Sequence, residues 1–317
     1  MTLRTLQIAL CVLSVLPISA EAKPEPFALP LHKGAMLLDL DNFKITQTSA
    51  KVGGAELGVR AHDAGHTELL AFLFLTPENK NQTAQTCLKG DLDQVVKDAG
   101  KTGTNVQTNP KGRDTGAIAT ALVTHPNGFM SLYKYFGAAD QCVVIQAYAD
   151  KGSKLDVAAA DALLDRQQYD PAYVPTDNDK FVYAMLLTKT NRQAAAAPIF
   201  ADFLKSVPST KDTLNQRRVA TDIVGMNLGM SGKIVEARQL FNQAIKTDPV
   251  YPLNYYNLSC ADAEEGKVAD AKLHLHQAFD RKANMLPGEK MPDPTADDSI
   301  QKLKNNKEFW AFVQTLK

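Results

Sequence analysis

The sequence has little aromatic content, few cysteines and no excess of either charge. Of 317 residues, one is tryptophan and four are cysteine, while lysine plus arginine and aspartate plus glutamate each total 35. This zero net charge argues against the basic surface of a nucleic-acid-binding protein and against electrostatic attraction to anionic membranes. The apolar fraction of 44% is ordinary for a globular protein, and the length is sufficient for two domains.

Sequence motifs for catalysis and metal binding are also missing. The sequence has no Cys-x-x-Cys pair, no Gly-x-Ser-x-Gly motif and no His-Glu-x-x-His motif. Gly232 and Lys233 match the end of a phosphate-binding loop, but that pattern needs glycine at Asn227 and serine or threonine at Ile234. We therefore predict a non-enzymatic protein with no catalytic residues, no metal site and no cofactor.

The N-terminus has the pattern of a secretory signal peptide. Arg4 provides a positive charge, an apolar run follows from Ile8 to Ile18, and Ala20-Glu21-Ala22 is a small-x-small cleavage sequence. We expect cleavage after Ala22 and a mature chain without a membrane span, located in the periplasm or secreted. An uncleaved N-terminal anchor is the alternative interpretation.

Three cysteines remain after that cleavage. Because an oxidising compartment permits disulfides, and because Cys87 and Cys142 both lie in the N-terminal part, we predict that they pair. The bridge would close a loop of 142 − 87 = 55 residues. The alternative is that both are buried thiols.

Residues 23–170 show a mixed α and β pattern. The segment from Thr67 to Leu75 is apolar on both faces, as expected of a central strand. A helix is predicted around residues 83–99, and two strands flank the turn Pro126-Asn127-Gly128. Hairpin turns between neighbouring strands favour an antiparallel α+β domain.

This region resembles the PsbP-like α/β sandwich. The resemblance rests on a strand over Glu68–Leu75 that leads to a helix start at Thr86-Cys87, and on a later strand that ends in Gln146-Ala147-Tyr148. It implies a binding or scaffolding module with no catalytic residues.

The C-terminal part repeats itself. The segment that starts at Gly232 aligns with the segment that starts at Gly266, an offset of 266 − 232 = 34 residues. Small residues (Ala237, Ala271) and large ones (Phe241, Leu275) recur at matching positions. This period and pattern resemble the tetratricopeptide repeat (TPR), in which pairs of helices stack.

The resemblance to TPR proteins covers residues 180–317. The predicted fold is therefore an α+β domain over 23–170, an antiparallel sheet with helices, then a linker over 171–179 and an all-α TPR-like domain. A C-terminal capping helix is expected to close the stack, after a capping box over Thr295–Asp298.

In such stacks the first helices line a groove that binds partners. The resemblance places eight residues there: Phe181, Met185, Lys189, Asp222, Met226, Met230, Tyr256 and Glu264. It implies a scaffold that binds a protein or peptide. Together with the signal-peptide pattern and the zero net charge, this predicts an exported scaffold that binds no nucleic acid. The alternative is that the N-terminal domain binds a small ligand or is an enzyme, with the repeats serving only for assembly.

Overall fold

The computed structural model describes residues 24–98, 104–150 and 153–316. The predicted signal peptide, residues 1–22, lies outside these ranges. The described residues form two compact units, which divide between Thr190 and Asn191. The first unit is α+β and the second is entirely helical, as the sequence predicts.

The first unit contains a large sheet, a small sheet and three helices within the described ranges. The strands are β1 (Glu25–Ala28), β2 (Ala35–Leu38), β3 (Lys44–Val52), β4 (Ala55–His62), β5 (Thr67–Leu75), β6 (Asn105–Thr108), β7 (Ala119–Thr124), β8 (Met130–Ala138), β9 (Gln141–Ala149) and β10 (Gln168–Asp170). The helices are α1 (Ala84–Asp98), α2 (Val157–Arg166) and α3 (Asp177–Lys189).

The large sheet has the strand order β3-β4-β5-β9-β8-β7-β6, and every neighbouring pair is antiparallel. All of these pairs except one join strands that follow each other in sequence. The exception is the central pair, β5 and β9, whose register runs from Thr67 opposite Ala149 to Leu75 opposite Gln141. The predicted antiparallel α+β architecture is therefore confirmed, with β9 as the middle strand and β5 beside it in the interior of the sheet.

Helix α1 packs on β7, β8 and β9 through an apolar face. Leu88 and Leu92 lie in one core cluster with Tyr135 and Val144. Cys87 of this helix forms a disulfide with Cys142 of β9, with a Cα–Cα distance of 5.5 Å. The predicted cysteine pairing is confirmed, and the bridge attaches the start of α1 to the centre of the sheet.

The small sheet has the order β1-β2-β10 and was not predicted from the sequence. Its middle strand contributes Met36 and Leu38, which are fully buried. Helix α3 packs against β3 of the large sheet. Both features lie in the first compact unit.

The second unit is a series of helices within the described residues. The α-helices are α4 (Gln193–Ser206), α5 (Leu214–Met230), α6 (Ile234–Thr247), α7 (Pro252–Glu264), α8 (Val268–Asp280), α9 (Asp298–Gln301) and α10 (Lys307–Thr315), and a short 3-10 helix spans Lys282–Asn284. Helices α6 and α8 begin 268 − 234 = 34 residues apart, which matches the sequence period. Gly232 and Gly266 have φ of 77° and 71° in the turns before them, a conformation that glycine adopts without strain.

The C-terminal residues complete the core of the last hairpin. Ile300, Phe309 and Val313 are almost fully buried in one cluster with side chains of α7 and α8. The predicted capping box is wrong in detail. Asp297 alone caps α9 by accepting from the backbone N–H groups of Ser299 and Ile300, since it is the residue directly before the helix.

Candidate functional site

Helices α5 and α7 are neighbours, and a buried polar bond joins them. The Asn257 side-chain amide donates to Asp222 Oδ1 at 2.6 Å, and both residues are buried. Asp222, Met226 and Met230 follow each other at intervals of four residues, so they share one face of α5. Along that face exposure increases: Asp222 is 7% exposed, Met226 is half-buried and Met230 is 60% exposed.

The corresponding face of α7 is engaged by the chain's own C-terminal segment. Tyr256 is fully buried, and its hydroxyl donates to Asp297 Oδ2 at 3.2 Å. One turn later, Cys260 Sγ lies 3.8 Å from Asp297 Oδ1. A further turn along, Glu264 forms an ion pair with Lys302. Thus Tyr256 and Glu264, two of the predicted groove residues, contact residues 297–302 of the same molecule.

A second contact of the C-terminal segment lies at the start of α7. Arg218 of α5 binds both carboxylate oxygens of Asp248, at 2.6 and 3.1 Å, and its guanidinium carbon lies 4.9 Å from the centre of the Tyr251 ring. The Tyr251 hydroxyl in turn donates to Glu289. The hydrogen bonds with Asp248 raise the pKa of Arg218, while burial raises the pKa of Glu289.

Sequence reasoning did not find this polar cluster. Arg218 and Glu289 are separated by 289 − 218 = 71 residues and follow no recognisable motif. Asp248 and Tyr251 do lie on either side of Pro249 and Val250, at the turn between α6 and α7. That position was the one available signal.

Phe181, Met185 and Lys189 lie on α3, in the compact unit that contains the sheets. Met185 is buried, Phe181 is half-buried and Lys189 is exposed. The Tyr183 hydroxyl of the same helix contacts the backbone and the carboxylate of Glu56 at 3.4 Å. Within its own unit, α3 is therefore attached to the edge of the large sheet.

A buried carboxylate links α6, α7 and α8. Asp262 is fully buried and lies 2.6 Å from His274 Nδ1 and 2.7 Å from the Arg238 guanidinium. The Arg238 contact is an ion pair without hydrogen-bond geometry at Oδ1. His276 binds a different carboxylate, Asp280, at 2.8 Å, so the two histidines face different partners. His274 is therefore part of the helix packing, whereas the His276 ion pair lies at the exposed surface of α8.

A small cleft lies in the sheet-containing unit. It measures about 190 Å³ and is lined by Asp41, Asn42, Phe43, Asp63, Thr67, Ala159, Leu163 and Arg166. Binding pockets for small molecules generally start at about 300 Å³. Near its rim, His66 lies 2.9 Å from Asp150 and is exposed. Across the described ranges, no group of three or more His, Cys, Asp or Glu residues is arranged to hold a metal ion.

Comparisons with known proteins concern the helical region. No protein-family model matches the chain, and no curated protein matches it. Several solved structures align at low scores, among them the following three. The Sgt2 TPR domain from Aspergillus fumigatus aligns at a TM-score of 0.31 and 14% identity, over 44% of this chain and 83% of that one. The MamA fragment from Desulfovibrio magneticus also aligns at 0.31 and 14%, over 44% and 75%.

The third is the C-terminal TPR-containing domain of a Plasmodium falciparum FK506-binding protein, at a TM-score of 0.29 and 17% identity, over 42% of this chain and 97% of that one. Scores and identities this low carry no argument about function. None of the helices in the described ranges combines the length and the apolar character that crossing a membrane requires.

Proposed function

We propose that the helical unit binds a segment of a protein partner on the face of α5 that carries Met226 and Met230. The observation that carries this proposal is the exposure of Met230, 60%, at the end of a row that begins in the buried Asp222–Asn257 bond. Methionine is flexible and polarisable, so it adapts to apolar partner surfaces. The buried Asp222–Asn257 hydrogen bond lies at one end of this row of side chains, and the exposed Met230 lies at the other. Together they favour recognition of an apolar peptide or helix.

The proposed recognition face lies on α5 and does not include α7. Tyr256 and Glu264 of α7 already contact Asp297 and Lys302. The partner segment would therefore be short. Export through a cleaved leader over residues 1–22 and a non-enzymatic scaffold role belong to the same proposal. The Cys87–Cys142 bridge supports export, because disulfides persist mainly in oxidising compartments.

The test uses the full-length protein with a photoactivatable cross-linker and one charged substitution. Met230→Glu places a carboxylate on the proposed face, while Leu273→Glu is the matched control on α8, where Leu273 is 54% exposed. We expect Leu273→Glu to cross-link the same partner as the wild type and Met230→Glu to lose it. Equal cross-linking by both variants would show that the face of α5 is not the binding surface.

A further inference from the structure

The methionines of this chain differ in their exposure to solvent. Of the eight, Met1 lies outside the described ranges, which leaves 8 − 1 = 7. Six of these are buried or half-buried: Met36, Met130, Met185, Met226, Met285 and Met291. Met230 is 60% exposed and is the one exposed methionine among the described residues. Because oxidation of methionine depends on access to the sulfur, a dissolved oxidant reaches Met230 first in the folded chain.

Met230 is the last residue of α5, and backbone hydrogen bonds end the helix there. The Lys233 N–H donates to the Leu228 carbonyl at 2.9 Å, a bond in which the Met230 side chain takes no part. An oxygen added to the exposed Met230 sulfur would therefore be hydrated, and the helix end and the apolar core would stay intact. The same oxygen on Met36, which is fully buried, would place an unpaired polar group in the core.

Oxidation of Met230 would change the character of the α5 face. The thioether is flexible and apolar, whereas the sulfoxide is polar and its oxygen accepts hydrogen bonds. Met226, one turn earlier on the same face, is half-buried and stays apolar. An apolar partner surface that covers the sulfoxide oxygen removes it from water without replacing its hydrogen bonds, and this lowers the affinity.

We propose that Met230 is a peroxide-sensitive modification site, whose conversion to the sulfoxide weakens partner binding at the α5 face while the fold persists. The effect on binding rests on the function proposed above, whereas the site of oxidation does not. The Met230 sulfur donates an electron pair to one peroxide oxygen, so that an S–O bond forms and the O–O bond breaks. The leaving oxygen takes up the proton of the transferred one and departs as water. Sulfur is oxidised by two electrons and the peroxide is reduced by two.

Peptide mass spectrometry of the full-length protein, after treatment with hydrogen peroxide, locates the modification. We expect Met230 to gain one oxygen on the order of tenfold faster than the buried Met36, because exposure controls access to the sulfur. Urea denaturation then checks the fold, and protein oxidised at Met230 should unfold at the same urea concentration as untreated protein. The site is wrong if another described methionine gains oxygen as fast as Met230.

A binding measurement tests the second part. The probe is the protein that the untreated wild type cross-links, once it has been identified by mass spectrometry and purified. We expect peroxide to weaken its binding to the wild type by about tenfold, because the sulfoxide oxygen loses its hydration in the complex. Met230→Leu cannot form a sulfoxide, so its affinity should be the same before and after peroxide treatment.

Met291→Leu is the matched control, because it removes a half-buried methionine of the C-terminal segment. Peroxide should weaken its binding as in the wild type. The free Cys260 remains in both variants, so oxidation of this thiol cannot cause a difference between them.

The proposal is overturned if peroxide weakens binding equally in the wild type and in Met230→Leu. It is also overturned if the wild type binds unchanged although Met230 carries the oxygen and Met230→Glu loses the cross-link. If Met230→Glu keeps the cross-link, the α5 face itself is not the binding surface. Peptide mapping then still decides whether Met230 is the oxidation site.

Discussion

The ring of Phe241 in α6 lies directly against Gly225 in α5. A β-carbon placed on Gly225 would be 2.1 Å from Phe241 Cζ, far inside contact distance. Gly225→Ala should therefore lower the free energy of unfolding by about 1–3 kcal/mol, through overpacking between the two helices. Urea denaturation of the full-length protein measures the change.

Gly229, one turn further along α5, is the matched control. Apart from its chain neighbours and the nearby backbone of α5, no described atom lies within 4 Å of a β-carbon at that position. Gly229→Ala should raise the free energy of unfolding by about 0.5–1 kcal/mol, because alanine restricts the unfolded chain and favours the helix. If the free energy of unfolding changed in the same direction for Gly225→Ala and Gly229→Ala, the close contact between α5 and α6 would be contradicted.

Removal of the Cys87–Cys142 bridge should destabilise the sheet-containing unit. Its 55-residue loop contributes about 4 kcal/mol in the chain-entropy model. The double variant Cys87→Ala/Cys142→Ala should therefore unfold at lower denaturant concentration than the oxidised wild type, and reductant should not shift it further. A double variant as stable as the oxidised wild type would show that the bridge does not constrain the chain.

Asp91 on the inner face of α1 should make this unit more stable in mild acid. The Tyr135 hydroxyl donates to Asp91 Oδ2 at 2.8 Å, yet burial is the larger influence and raises the pKa of Asp91. Stability from a raised pKa is present in acid and is lost as the pH rises through it. Between pH 4 and pH 7 the wild type should therefore lose stability relative to Asp91→Asn. A tenfold change in proton affinity corresponds to about 1.4 kcal/mol.

Denaturation at a series of pH values measures this difference. The control is Asp93→Asn, which lies two residues away and removes an exposed carboxylate paired with Lys89 at 2.9 Å. It should keep the pH dependence of the wild type. If the Asp91→Asn profile were parallel to that of the wild type, Asp91 would not titrate differently in the folded and unfolded chains.

Lys134 of β8 should be needed to hold the end of α2. Its ammonium group donates to the carbonyls of Leu164 and Gln167, both at 2.8 Å, and the side chain is buried. Lys134→Met keeps the length of the chain but leaves these carbonyls unpaired, so we expect a loss of about 3 kcal/mol. Lys111→Met is the control, because Lys111 forms a half-exposed ion pair with Asp161 on the same helix and should cost about 0–1 kcal/mol. Guanidinium denaturation measures the free energy of unfolding of both variants. Equal losses for Lys134→Met and Lys111→Met would show that the buried lysine is no more important than the half-exposed one.

The longer strands of the large sheet were predictable because local patterns define them. The structure places β5 at Thr67–Leu75, the range read from its apolar pattern. The turn at Pro126-Asn127-Gly128 marked β7 and β8 in the same way. The small sheet was missed because β1, β2 and β10 are only three or four residues long. In addition, the pairing of β10 with β2 joins residues more than 100 positions apart, which no local periodicity records.

The helical repeats were also predictable, but the contacts of the C-terminal segment were not. Self-similarity located α6 and α8, and with them the turns at Gly232 and Gly266. Residues 285–297 have no period, since their position depends on individual bonds such as those of Glu289 and Asp297. The resemblance to TPR proteins therefore predicted Tyr256 as a groove residue, whereas the structure buries it beneath Asp297.

The pairing of β5 with β9 has a consequence for how the protein is made. A chain synthesised from its N-terminus produces β3 to β5 as one meander. The second edge of β5 then stays unpaired until β9 has been synthesised. Cys142 lies in β9. The strand that pairs with β5 and the disulfide partner of Cys87 therefore become available at the same stage of synthesis. Cys260 is translated more than 100 residues later. Both cysteines of the native bridge therefore precede Cys260 along the growing chain.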